Sequence, residues 1–272
     1  MLVLFISFII NINGGFKIIN KIFFFDIDGT LAIHHHIPKN NLNALKKLKD
    51  KGYLTFICTG RAPFYAQKLF KDLTSGIISC NGRYITYHNQ KIYGRTFTHH
   101  ELSEYQKIFC QLDCGYFLVS DEQSYIQNMT EKQIKEVQNE YGIDRITLNH
   151  KNLPFYTFDI FYNSLQHRDQ IIETLKDKII FNDHGGHGSG DCSTIEFDKG
   201  SAIAYLLDYF HISKDHAYAF GDGYNDQAMF REVNHKIAMG NAVDVLKKQA
   251  TFITTDVDKN GIIHALKHEK IL

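Results

Sequence analysis

The chain has 272 residues, 44% of them hydrophobic and 22% charged, with only three Pro. That suits one large or two modest globular domains with a substantial core, and excludes a disordered chain. Thirty Lys and Arg balance thirty Asp and Glu, so no global basic field points to nucleic acid or to an anionic membrane, while a local basic pocket remains open.

The first residues, MLVLFISFIINING, are apolar but too short for a membrane span, and no Lys or Arg precedes them as a secretory signal requires. We read residues 1–19 as an extra strand or an extension outside the fold, expect no stable membrane insertion, and place the chain in the cytoplasm. Five scattered cysteines (Cys58, Cys80, Cys110, Cys114 and Cys192) contain no CxxC pair and read as buried free thiols of a reducing compartment.

From Lys21 to Phe25 a continuous apolar run reads as a strand buried on both faces, and it ends in Asp26-Ile27-Asp28-Gly29-Thr30. Leu42, Leu45 and Leu48 repeat at helical spacing over residues 41–53. LTFICTG, residues 54–60, is a second buried strand. A helix follows it with Pro63 in the first turn, and GIISCNG, residues 76–82, is a third strand. This βαβαβ order predicts a parallel sheet with helices on its faces. Residues 83–97 then alternate around a turn near His88–Gln90 and read as a hairpin. They open an α+β module with helices near 99–111, 130–141 and 165–176, the second of them N-capped by Thr130. Its central strand is FYTFDIFY, residues 155–162. From Lys199 the β/α alternation returns and runs to the end. The predicted class is α/β: a Rossmann-like parallel core of residues 20–82 and 193–272, with an α+β module of residues 83–192 inserted into it.

In open parallel sheets, ligands bind beyond the carboxyl ends of the strands. Four polar groups belong there: Asp26–Thr30, Cys58-Thr59-Gly60-Arg61, Gly221–Asp226, and Lys199 at a helix start. Carboxylates gathered at short range repel one another. A hard divalent cation relieves that, and Mg²⁺ favours one or two carboxylates plus water and phosphate oxygens. Thr30 and Thr59 supply hydroxyls, the glycines expose backbone N–H groups, and Lys199 adds positive charge. The set reads as phosphoryl transfer, with Asp26 as nucleophile and Asp28 as acid and then base. Each piece has a bland reading alone: an acidic turn, an Asn-capped loop, a solvated lysine. Their joint order at strand ends and helix starts argues against it.

These residues resemble the haloacid dehalogenase superfamily, in its Cof-like branch with a type IIB (C2) α/β cap. The matching stretches are DIDGTL (26–31), CTGR (58–61), DKGSAIAYLL (198–207) and GDGYNDQAMF (221–230), supported by SCNGRYI (79–85), AMGNAVDVLKKQA (238–250) and TTDVDKNGIIHAL (254–266). The resemblance spans roughly residues 20–268. It implies an aspartyl-phosphate intermediate and a Mg²⁺ cofactor. It makes Asp26 nucleophile and metal ligand, and Asp28 the acid/base that gives the metal its backbone carbonyl. Asp222 becomes a third ligand, with Asp226 at the metal or its waters. Thr59, Gly60, Lys199, Asn225 and Thr30 would hold the phosphoryl group. Residues 83–192 correspond to the cap.

The expected activity is hydrolysis of phosphate monoesters of small metabolites: sugar phosphates, nucleotides or phosphorylated cofactors. A phosphosugar mutase using the same aspartates is the alternative, distinguished by isomerised product without phosphate release. A non-catalytic sensor would have lost a catalytic carboxylate, whereas Asp26, Asp28, Lys199, Asp222 and Asp226 are all present. HGGHGSGDCS, residues 184–193, is either a cap loop facing substrate or a solvated turn. His34–His36 reads as a solvated loop, because consecutive histidines do not converge on one ion. Tyr87, Tyr93, Tyr125 and Tyr162 are candidate substrate contacts that equally suit a core.

Overall fold

The structure, a computed structural model, describes residues 9–12, 15–18 and 21–272 apart from 34–35 and 149–152. The first described elements, β1 (Ile9–Ile12) and β2 (Gly15–Ile18), pair as an antiparallel hairpin. The remainder of the 1–19 extension, and His34 and His35, lie outside the described residues.

The core opens with β3 (Ile22–Phe25), α1 (Lys39–Asp50), β4 (Leu54–Cys58), α2 (Pro63–Phe70) and β5 (Gly76–Ser79). Every residue of β3, β4 and β5 is buried, as a parallel sheet covered on both faces demands. Pro63 stands in the first turn of α2, where its missing N–H is no loss. The hairpin β6 (Tyr84–Tyr87) and β7 (Gln90–Gly94) comes next. The sequence places it in the inserted module. In the structure β6 instead pairs antiparallel with β5, so the hairpin closes one edge of the core sheet. Alternation predicts a half-buried hairpin correctly, but it does not say which sheet supplies the buried side.

The inserted module holds α3 (His99–Gln111), β8 (Gly115–Val119), β9 (Ser124–Gln127), α4 (Glu131–Tyr141), β10 (Ile146–Thr147), β11 (Thr157–Phe161), α5 (Leu165–Leu175), β12 (Ile179–Asp183) and β13 (Ser189–Thr194). Thr130 caps α4 through a capping box with Gln133. Its six strands run in the order β10-β9-β8-β11-β13-β12, so the strand read as central does lie inside the sheet. One face packs Phe158, Ile160 and Cys192 against Phe109, Ile171 and Leu175 of α3 and α5. The other turns toward the core, where Phe117 shares an apolar cluster with Ala62, Cys80 and Tyr84.

The chain returns through α6 (Lys199–Tyr209), β14 (Ala217–Gly221), α7 (Gln227–Glu232), β15 (His235–Ala238), α8 (Asp244–Lys247), β16 (Phe252–Ile253) and α9 (Gly261–His268). The eight core strands lie in the order β16-β15-β14-β3-β4-β5-β6-β7, the first six parallel. Strand order reverses between β3 and β14, so the topological switch point falls where Asp26 and Asp222 leave the sheet.

Four of the five cysteines are buried; Cys110, read as buried, is exposed on α3. No helix among the described residues is long and apolar enough to cross a membrane. The four tyrosines go chiefly into packing or hydrogen bonds within their own modules. Tyr87 stacks on Phe56 and meets Phe210 edge-to-face, and Tyr93 packs on Tyr205. Tyr125 and Tyr162 donate to Gln127 and Asp183.

Candidate active site

Phe23, Phe24 and Phe25 are fully buried and anchor the strand that delivers Asp26. An unbroken strand would aim Asp26 and Asp28 at one face. The strand instead ends at Phe25, and the Ile27 carbonyl accepts from the N–H groups of Thr30, Leu31 and Ala32. This turn separates the two carboxylates: Asp26 stays inside and Asp28 emerges, its side chain 47% exposed. Gly29 makes the turn possible. Its φ is +83°, and a Cβ there would lie 2.1 Å from Asp222 Oδ2.

Lys199, the first residue of α6, is 1% exposed, and its ammonium donates to Asp26 Oδ1 and to Asp226 Oδ1, each at 2.7 Å. Asp198 places it, capping the helix through a reciprocal bond pair with Ser201. Asp226 is fixed further by the N–H groups of Asp222 and Gly223, donating to its Oδ2 at 2.8 and 2.9 Å. Asp222 accepts from the Thr30 hydroxyl at 2.7 Å. Asp26, Asp222 and Asp226 thus bring carboxylate oxygens within 4.8 Å of one another.

The charges of this group do not balance. Burial would pull the Lys199 ammonium down, but Asp226 and Asp26 reverse that and hold it charged. Burial raises Asp26 well above the carboxylate range, against the pull of Lys199, and Asp226 and Asp222 add to the rise. Asp222 is pushed up to about 7 by burial and then by Asp226. One ammonium among three carboxylates leaves excess negative charge, and hard oxygen donors at this spacing fit a hard cation.

The site residues expected from the sequence fall into three positions. Asp26, Asp222, Asp226 and Lys199 form one contact network. The Asp28 side chain stands outside it and is held by Arg61, whose Nε and Nη2 donate at 2.6 and 3.0 Å. Thr30 is committed to Asp222, which makes it a positioner of that carboxylate in this arrangement. Thr59 is buried at the end of β4, and its hydroxyl oxygen accepts from the Arg61 N–H at 3.2 Å. Gly60 packs so tightly that a Cβ would meet Asp191 Oδ2 at 2.7 Å. Asn225 lines a cleft of about 180 Å³ with Lys199, Asn81 and Asn182.

Sequence reasoning assigned no role to Arg61, Asn81, Glu140, Asp159 or Asp191. Arg61 bridges Asp28 to Glu140 of α4 and stacks on Tyr65 at 4.6 Å. Its place in CTGR, just past a strand end, was the available signal. Asn81 donates to Asp191 Oδ2 at 2.5 Å and joins the core loop to β13. HGGHGSGDCS spans the β12–β13 turn, and its two ends differ: Gly185 and Gly186 are exposed, while Asp191 faces the core and is contacted by His184 at 3.3 Å.

A family profile described as haloacid dehalogenase-like hydrolase matches residues 23–266. The chain belongs to this family. It is 28% identical over 268 residues to the putative phosphatase YkrA of Bacillus subtilis, covering 93% of this chain and 99% of that protein. It is also 28% identical over 278 residues to the B. subtilis 5-amino-6-(5-phospho-D-ribitylamino)uracil phosphatase YwtE, covering 88% and 94%. A solved protein from Geobacillus kaustophilus superposes with a TM-score of 0.79 at 26% identity, over 93% of this chain and all of that one. The subclass IIB sugar phosphatase BT4131 gives 0.79 at 24% identity over 93% of this chain and all of its own, a likeness of fold.

Proposed function

We propose that this haloacid dehalogenase-like hydrolase is a Mg²⁺-dependent phosphatase that hydrolyses phosphate monoesters of small metabolites through an aspartyl-phosphate intermediate. The observation that carries the reading is the buried Lys199 ammonium bridging Asp26 and Asp226 beside Asp222 at the switch point. Mg²⁺ would be held by Asp26, Asp222, Asp226 and the backbone carbonyl of Asp28, and when bound it supplies positive charge against the phosphoryl oxygens and the carboxylates.

Asp26 attacks phosphorus through a carboxylate oxygen, and the bond from phosphorus to the substrate's ester oxygen breaks. Asp28 gives that oxygen a proton and then takes one from the water that attacks the aspartyl-phosphate, releasing phosphate and regenerating Asp26. Arg61 keeps Asp28 at the rim of a cavity of about 570 Å³ that also borders Gly29 and Asn241. Thr59 retains its hydroxyl proton for a phosphoryl oxygen, because its recorded bond uses the oxygen as acceptor. Lys199 has three donors and spends two on carboxylates, leaving one for the phosphoryl group. The inserted module serves as the cap over the leaving group. The YwtE relative is named for a phosphorylated ribityl compound, which suits a phosphorylated small metabolite as substrate.

Phosphate release from p-nitrophenyl phosphate with Mg²⁺ tests the reading. Turnover should stop with EDTA and return on adding Mg²⁺; turnover indifferent to EDTA would remove the metal from the mechanism. Isomerised sugar phosphate without free phosphate would replace the hydrolase by a mutase.

A further inference from the structure

The inserted sheet carries a polar row that the phosphoryl chemistry does not use. Phe117 of β8, Asp159 of β11, Asp191 of β13 and Asn182 of β12 are paired residue for residue across four neighbouring strands. Directly paired residues share a face, and this one is turned to the core: Phe117 packs with Ala62 and Cys80, while Asp191 touches Asn81 and overhangs Gly60. Like charges directly opposite on neighbouring strands destabilise a sheet. Asp159 and Asp191 occupy such a pair.

The available cations are committed elsewhere. Arg61 holds Asp28 and Glu140, and His184 holds Asp191. Asn182 also donates to Asp191, at 3.3 Å. Asp159 has no hydrogen-bond partner among the described residues, and burial, with Asp191 beside it, pushes it up to about 7 against the pull of His184. A second orphan lies at the same junction: the Asn81 side chain is 1% exposed, and its Oδ1 accepts no hydrogen bond. Two acceptors at the junction of the two sheets, next to the loop expected to hold phosphate, lack a protein donor among the described residues: the half-buried Asp159 carboxylate and the buried Asn81 Oδ1.

We propose that Asp159, supported by Asp191 and Asn81, selects the leaving group, admitting phosphate esters whose organic part donates hydrogen bonds through hydroxyl or amine groups and rejecting those with a second acid group. This rests on the phosphatase reading above. A donor from the substrate satisfies the orphaned acceptors, whereas a carboxylate or second phosphate there meets the Asp159–Asp191 pair at short range.

The test begins with wild-type enzyme, Mg²⁺ and p-nitrophenyl phosphate. No turnover would overturn the phosphatase reading and this assignment with it. Given turnover, kcat/KM is compared for sorbitol phosphate, glucosamine phosphate and phosphoglycolate. The first two should exceed phosphoglycolate by roughly tenfold or more, the effect of a hydrogen bond to a charged group. Their ratio to each other separates hydroxyl from amine recognition. Asp159→Asn, which keeps the shape, should shrink the advantage over phosphoglycolate several-fold, and Asp159→Lys should favour phosphoglycolate. Equal or better wild-type use of phosphoglycolate overturns the assignment alone. So does an unchanged ratio in Asp159→Asn with a wild-type thermal melt.

Discussion

In the core sheet, Asp26 and Asp226 share one buried ammonium, Asp226 takes two backbone N–H groups besides, and Asp222 beside them accepts from Thr30. In the inserted sheet, Asp159 and Asp191 also stand side by side, but the basic group beside them is the His184 imidazole, 44% exposed at its side chain, and Asp159 keeps no hydrogen bond among the described residues. The first arrangement carries its own Lys199 and is complete enough to stay in one geometry. The second leaves an acceptor open. On the reading above, the core holds its carboxylates in a bonded network whose remaining negative charge suits a cation, and the inserted sheet leaves one carboxylate unsatisfied so that a substrate donor can satisfy it.

The largest effect should come from Asp26→Asn. The amide preserves size but cannot attack phosphorus, so phosphate release should fall at least about 10³-fold with the melt unchanged. Wild-type turnover in this variant would erase the contrast, because both sheets would then hold spectator carboxylates. Lys199→Met comes next. It leaves the buried Asp26 and Asp226 without their shared ammonium, with the half-buried Asp222 beside them, and breaking such a pair costs about 3–5 kcal/mol. The melting temperature should drop sharply, kcat should fall roughly 10²-fold, and added Mg²⁺ should raise the melt more than in the wild type. If Mg²⁺ stabilises both equally, the three carboxylates are not its site.

The contrast also governs what was legible. Each core residue sits in a contiguous motif at a strand end or, for Lys199, at a helix start, where apolar runs, glycines and polar side chains are read together. Asp26, Asp222, Asp226 and Lys199 therefore emerge from the order of motifs alone. The outward turn of Asp28 does not, since it depends on where β3 stops and on Ile27 gathering three N–H groups. Asp159 and Asp191 are far apart in the chain, and only the antiparallel register of β11 and β13 makes them neighbours. Within FYTFDIFY, Asp159 reads as one polar residue in an apolar strand. The Tyr84–Gly94 hairpin is similar: its alternation is clear, but its sheet is set by pairing with β5.

A smaller effect should appear where the two sheets are joined. The Arg83 side chain is buried between Phe97 and Phe197, 4.1 and 5.0 Å from their rings, and donates to the Arg95 carbonyl and the Thr194 hydroxyl. Residues of both connections between core and inserted module thus meet on one guanidinium. Arg83→Met should cost roughly 2–3 kcal/mol from two charge-assisted bonds and the ring contacts. That is read as a lower melting temperature, with kcat for p-nitrophenyl phosphate within about twofold of wild type at a temperature where the variant is folded. A fall in kcat without a fall in the melt would mean that this junction sets the chemistry and not only the joint.

The smallest effect belongs to Glu140→Gln. Glu140 is 28% exposed and is tied to the core by its ion pair with Arg61. Solvent screens such a pair, and exposed ion pairs are typically worth about 0.2–1 kcal/mol. Arg61 would still hold Asp28 through two donors and stack on Tyr65, so Asp28 keeps its place without the glutamate. We expect kcat/KM for p-nitrophenyl phosphate to change by less than about fivefold and the melt by about a degree or two, both less than for Arg83→Met. The informative outcome is disproportion. If Glu140→Gln loses as much turnover as Lys199→Met, a carboxylate of the inserted module is governing Asp28 through Arg61. The division between a core that does chemistry and a cap that reads the leaving group would then give way to one charge network running Glu140–Arg61–Asp28 across both.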